Sequence, residues 1–125
     1  MMLGTKFVPE HLVSLLQKIA KVPLSNHAGK AHYELVDFLE QESFFCECEH
    51  TIYHLDGRQE RVDVMAHRDG EVLAIEVDSQ LKRKSVMRLS QLEGGDLYRI
   101  IVILKGTCKK VPDDIHAVVK VPIKE

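Results

Sequence analysis

No stretch of this 125-residue sequence approaches the roughly 20 apolar residues that a membrane-spanning helix needs, and the opening MMLGTKFVPE lacks the apolar run of a secretory signal. A cytoplasmic protein with no membrane partner is therefore expected. Cysteine is scarce: Cys46, Cys48 and Cys108 are an odd number, which argues against a disulfide framework and suits a reducing compartment. The phosphate-cradling patterns GxGxxG and GxxxxGK[ST] do not occur, and Gly94-Gly95 reads as a helix stop, so no nucleotide cofactor is expected. Neither sign of charge is in large excess. A net charge of −2 leaves no global basic field, so any nucleic-acid contact must come from a partner subunit or from clusters such as Lys82-Arg83-Lys84 with Arg88, and Lys105 with Lys109-Lys110. Taken alone, those clusters read more simply as solvated faces. Repeats and low-complexity tracts are missing too, and a composition of 45% apolar and 29% charged residues is that of one ordinary globular domain.

What is there begins with helical spacing. Pro9 opens a pattern with Leu12, Leu15, Leu16 and Ile19, and Pro23-Leu24-Ser25-Asn26 ends it and offers N-cap candidates for a second helix. Ala28, Ala31, Leu35, Phe38 and Leu39 form an apolar stripe over 28–41, with Glu34 at its border. The period then becomes strand-like through FFCECEHTIYHL, QERVDVMAHR and EVLAIEVD, separated by Asp56-Gly57 and Asp69-Gly70. Asp-Gly between β-prone runs signals a hairpin, because both residues tolerate positive φ. Ser79 is placed to cap a helix reaching about Glu93, with Leu81, Ser85, Leu89 and Leu92 on one side. YRIIVIL, almost wholly apolar and reached through that helix, should lie parallel to the strand before it. A loop over 106–114 leads to a last strand, His116 to Val121, which Pro122 confines to an edge or a strand end. The expected organisation is a single α/β domain over 1–125. An accessory N-terminal helix occupies 1–24, an αβββαβ core with a mixed sheet flanked by helices occupies 28–105, and a loop and terminal strand fill 106–125.

If Asp69-Gly70 is a two-residue loop, Arg68 pairs with Glu71, and counting back brings Asp63 opposite Glu76 with Asp78 on the same face. Opposed like charges cost about 0.2–1 kcal/mol, so something should offset three carboxylates there. A hard divalent cation does so, and can activate a water for attack on a phosphodiester. The plainer alternative is a solvent-facing sheet surface whose carboxylates pair with Arg61 or Arg88. Counting through Asp56-Gly57 sets His50 opposite Asp63, where it either meets the outer shell of a metal or simply bonds the carboxylate. By parity Cys46, Cys48, His50 and His54 share a strand face. A zinc site of that composition is disfavoured, because same-face neighbours on one strand stand about 6.5–7 Å apart. Cys108 sits between lysines with no partner that would make it a nucleophile.

A helix carrying Glu34, then Asp63 in RVDVM, then Glu76-Val77-Asp78 in LAIEVDS, then a helix and an apolar strand, together resemble the PD-(D/E)XK nuclease superfamily. The likeness covers about Ala28 to Leu104 and is greatest to the compact cores of archaeal Holliday junction resolvases. It implies a restriction-endonuclease-like fold and a Mg²⁺- or Mn²⁺-dependent DNA endonuclease, with a possible preference for branched DNA, acting as a homodimer or in a larger complex. It further implies that Asp63 and Glu76 bind the metal, that the Val77 carbonyl adds a ligand, and that Glu34 acts directly or through water. The family's usual lysine is replaced by Asp78. Either Asp78 serves as a base or further ligand, or Lys82 or Lys84 from the next helix takes the lysine's part, with Lys30 a weaker choice. Lys82, Lys84 and Arg88 are the expected DNA contacts. The rival expectation is a non-catalytic module of the same fold that binds nucleic acid or protein, and a third is an unrelated α/β domain.

Overall fold

The computed structural model describes residues 1–124. Its centre is a meander set by two Asp-Gly turns. Asp69 and Gly70 both adopt positive φ, 51° and 81°, which is the two-residue hairpin geometry whose twist matches that of the strands. β3 (Gln59–Arg68) therefore pairs antiparallel with β4 (Glu71–Asp78), Arg68 opposite Glu71. At the other turn only Gly57 has positive φ, and the amide of His54 bonds the carbonyl of Arg58 at 2.9 Å. That closes a three-residue loop over Leu55, Asp56 and Gly57, so β2 (Phe45–Tyr53) meets β3 with His50 opposite Val62, one residue away from the expected Asp63.

β4 continues through α3 (Arg83–Ser90) into β5 (Leu97–Ile103), which lies parallel to it, and β6 (Ala117–Lys120) is parallel to β5 in turn. Helix α3 is shorter than expected at both ends. The carbonyls of Asp78 and Ser79 accept the amides of Leu104 and Lys105, which keeps the chain extended past β4, and Lys82 rather than Ser79 takes the N-cap position. At its far end Arg99 of β5 donates to the carbonyls of Leu89 and Leu92, satisfying groups a helix C-terminus leaves open.

The N-terminal segment supplies more than a helix. β1 (Met2–Thr5) pairs antiparallel with β6, so the six-stranded mixed sheet runs β1-β6-β5-β4-β3-β2 and β6 is interior rather than an edge. Pro122 falls just past the end of β6, where its missing amide costs no ladder bond.

Helices cover both faces of the sheet. α1 (Glu10–Ile19) and α2 (Ala28–Gln41) bury Leu12, Leu15, Leu16, Ile19, Leu35 and Leu39 against Leu73, Ile75, Ile100 and Val102. On the opposite face Leu89 of α3, with Val111 and Ile115 from the loop before β6, packs on Ala74, Ile101, Ile103 and Val118. Each large aliphatic side chain so buried contributes about 1.5–3 kcal/mol. No helix among the described residues is long and apolar enough to cross a membrane.

Candidate active site

The β3–β4 ladder runs from Arg68 and Glu71 to Val64 and Ile75 and stops there. The next positions in register are Asp63 and Glu76, and side chains take over from the backbone. The Asp63 amide donates to Glu76 Oε2 at 3.1 Å, and the Val77 amide donates to Asp63 Oδ2 at 2.8 Å. The partner strand is also irregular here. Glu49, in line with Asp63, has a φ of 54°, and the Glu49–Asp63 pair is missing from an otherwise continuous β2–β3 register. Alternation breaks at this point: Val64 packs under α2, whereas Val62, two residues away, packs on the α3 face. Asp63 thus stands where the sheet changes faces.

A cleft of about 230 Å³ opens beside it at the carboxyl end of β4, the side on which open α/β sheets receive ligands. Asp63, Asp78 and Glu49 line it together with Val77, His32 and Arg88. Ala28 and Gly29, at the first turn of α2, complete the lining. Two larger hollows, of about 420 and 500 Å³, lie around Met1, Ala20 and Lys21 and gather no carboxylate or histidine.

The charges in the cleft are arranged against one another. Glu76 is 1% exposed and bonds Arg88 Nη1 of α3, so the pairing that was the plainer alternative for these carboxylates is realised at this residue. Burial and then the neighbouring Asp63 charge push Glu76 up to about 8, outweighing the Arg88 bond that pulls the other way. Burial likewise raises Asp78, and the nearby Ser85 side chain and the charge of Lys82 partly restrain it. Burial acts against the Arg88 cation, but Glu76 and the surrounding acidic groups outweigh it and hold that cation's pKa above its ordinary value. Three polar atoms in the cleft residues are buried without a hydrogen-bond partner: Asp78 Oδ2, His32 Nε2 and Arg88 Nε.

Not every expected residue gathers here. Glu34 accepts from the Ser25 amide at 2.7 Å, the Ser25 hydroxyl at 2.8 Å and Lys124 Nζ at 2.7 Å, and it does not line the cleft. Those bonds, led by the one from Lys124, hold its carboxyl down at about 2. They also take Ser25 away from capping α2, whose N-cap position is His27. Two residues along a helix are a turn of about 200°, so a helix that presents His32 to the cleft presents Glu34 to the other side. His32 is the residue the sequence pattern passed over. Its only signal was a polar side chain inside the apolar stripe, between Ala31 and Leu35.

Lys82 and Lys84 are exposed at the start of α3, Lys30 is exposed on α2, and Arg88 turns inward to Glu76. Cys46, Cys48, His50 and His54 do not form a common centre. The break at Glu49 changes the parity between Cys48 and His50, His54 bonds Glu60 at 2.8 Å, and burial drives the Cys46 thiol up to about 11. Among the described residues no three His, Cys, Asp or Glu side chains already stand together as a metal-binding set. Comparison of the chain with family models, curated proteins and solved structures finds no match in any of the three.

Proposed function

We propose that this protein is a small cytoplasmic, divalent-metal-dependent DNA endonuclease of the PD-(D/E)XK kind, built on a restriction-endonuclease-like core. The observation that carries the reading is the end of the β3–β4 ladder. There Asp63 and Asp78 line one cleft at the carboxyl end of β4, with Asp78 Oδ2 buried and unpartnered, and Glu76 is buried behind them, bonded to the Asp63 amide and to Arg88. Carboxylates crowded and buried in this way hold their protons or an internal cation until a bound metal ion offsets their charge. Hard carboxylate oxygens suit Mg²⁺ or Mn²⁺, and Asp63, Glu76, Asp78 and the Val77 carbonyl are the groups that would hold it. A cation bound there supplies Lewis acidity and an activated water for phosphodiester hydrolysis. To receive it, Glu76 must exchange its bond to Arg88, which leaves that guanidinium, beside exposed Lys82 and Lys84, to meet a phosphate. A homodimer would supply the two sites that cutting both strands of a duplex needs.

The test is cleavage of labelled linear, nicked, flapped and four-way-junction DNA with Mg²⁺ or Mn²⁺, comparing the native protein with Glu76→Ala. Cleavage that disappears in the folded variant is the expected result, and the substrate ranking shows whether branched DNA is preferred. Light scattering of the active species tests the dimer.

The Arg88–Glu76 pair itself favours a second reading, in which an internal cation has replaced the metal and the fold serves as a non-catalytic module binding nucleic acid or protein. The two part on metal. A live site binds Mn²⁺ or Mg²⁺ and loses it on Asp63→Asn, whereas a site neutralised by Arg88 binds neither.

A further inference from the structure

We infer that His32 is a nitrogen ligand of the divalent cation and gives the cleft a preference for Mn²⁺ over Mg²⁺, an inference that rests on the metal-dependent reading above. His32 lies on the sheet-facing side of α2, 6% exposed, and lines the same cleft as Asp63 and Asp78. A histidine buried only for packing normally satisfies both ring nitrogens, because a buried polar atom without a partner is destabilising. Here Nε2 has none. Asp78, 8% exposed on the same cleft, keeps Oδ2 in the same condition, so two residues of the one lining each carry a buried polar atom without a partner.

The chemistry of that pair sorts the cations. Mg²⁺ takes oxygen ligands almost exclusively and gives up its waters reluctantly, while imidazole nitrogen beside carboxylate oxygen suits the first-row transition ions. Two carboxylates alone would leave Mg²⁺ and Mn²⁺ close in affinity, and adding an imidazole moves the balance to Mn²⁺. α2 then contributes to the site through His32, which faces the sheet, and not through Glu34, which is bound to Ser25 and Lys124.

The experiment uses the full chain without DNA, titrated calorimetrically with MnCl₂ and with MgCl₂ in native and His32→Gln forms, and spin-echo EPR of the Mn²⁺-loaded native protein. The native chain should bind Mn²⁺ about tenfold or more tightly than Mg²⁺, and His32→Gln should remove most of that difference while moving Mg²⁺ affinity less than about threefold. The echo should carry the ¹⁴N modulation of a directly bound imidazole. Because that signal is read on the native protein, it decides the matter even if His32→Gln folds poorly. Mg²⁺ and Mn²⁺ binding of similar strength, lost on Asp63→Asn but with no nitrogen signal, overturns the role of His32 and leaves the metal reading standing. Failure of the native chain to bind either cation overturns both.

Discussion

Glu76 holds its proton well above the ordinary carboxyl range because it is almost wholly buried and faces Asp63, and one guanidinium does not compensate for both. The sign of the consequence follows from linkage. Between the unfolded value near 4.5 and the folded value near 8, the native state binds the proton and the unfolded state does not. Glu76 therefore adds stability that is complete at low pH and is lost as pH rises through 8. In metal-free buffer the chain should lose on the order of a few kcal/mol from this source between pH 5 and 8.5, at about 1.36 kcal/mol per pKa unit as an upper bound. Glu76→Gln should flatten that slope, and urea midpoints at several pH values measure it. An equally steep slope in the variant would mean that another group carries the proton. The opposition of Asp63 and Glu76 was legible in the sequence because one dipeptide, Asp69-Gly70, specifies a turn with two positive-φ residues, and a sheet of period two carries that register to Val64 and Ile75, one position short of them. His32 was not legible in the same way. A helix stripe is wide enough to admit a histidine as packing, and only the tertiary placement of α2 over the end of β4 sets His32 apart from Glu34.

At the scale of elements, α3 is short and carries few apolar side chains, so its ends matter. Arg99, reaching from β5 to the carbonyls of Leu89 and Leu92, joins the helix terminus to the strand that follows it. Arg99→Ala should cost about 1–3 kcal/mol, the range for leaving buried or part-buried acceptors without a donor. Because Arg88 rides on α3, the same substitution should also raise amide exchange around residue 88 more than around β3, which exchange mass spectrometry resolves. β1 offers a second case. A Cβ at Gly4 would stand 2.5 Å from Val111 Cγ2, so Gly4→Ala must displace that side chain or loosen the strand, at a cost of about 1–3 kcal/mol by thermal unfolding. Elements with a strong period were readable: both long helices, the three strands of the meander and β5. β1 was not, since four residues with two glycine or threonine positions show no alternation, and its place is fixed by β6 rather than by its own pattern. The Asp56-Gly57 loop shows the same limit on a smaller scale. Identical dipeptides stand in both hairpins, yet one loop holds two residues, both at positive φ, and the other three, with only Gly57 at positive φ, a difference the dipeptide alone does not encode.

Across the whole molecule, residues far apart in sequence close the sheet on the side away from the meander. β1 completes β6, Leu24 bridges to Ile123, and the Lys124 amide donates to the Leu24 carbonyl at 2.9 Å. Glu34 is the ionic part of this closure, joining α2 to the Ser25 segment and to Lys124, and the acidic residue once expected at the candidate site is used instead to hold the fold together. Its pKa is depressed to about 2, so the linkage runs opposite to that of Glu76: the contribution is full above the unfolded value of 4.5 and is lost as pH falls through the folded value. Lys124 is half exposed, so solvent screens its share, and the ion pair alone is worth about 0–1 kcal/mol. A double-mutant cycle of Glu34→Gln and Lys124→Ala should therefore give a coupling of about 0.5–1 kcal/mol at pH 7 that falls to about half near pH 2. Glu34→Gln alone should cost somewhat more, because the Ser25 amide and hydroxyl also lose a charged acceptor. Metal affinity is the second readout. Held on the far side of α2 from His32, Glu34 should leave Mn²⁺ and Mg²⁺ binding unchanged when it becomes glutamine, and a loss of binding there would return it to the cleft.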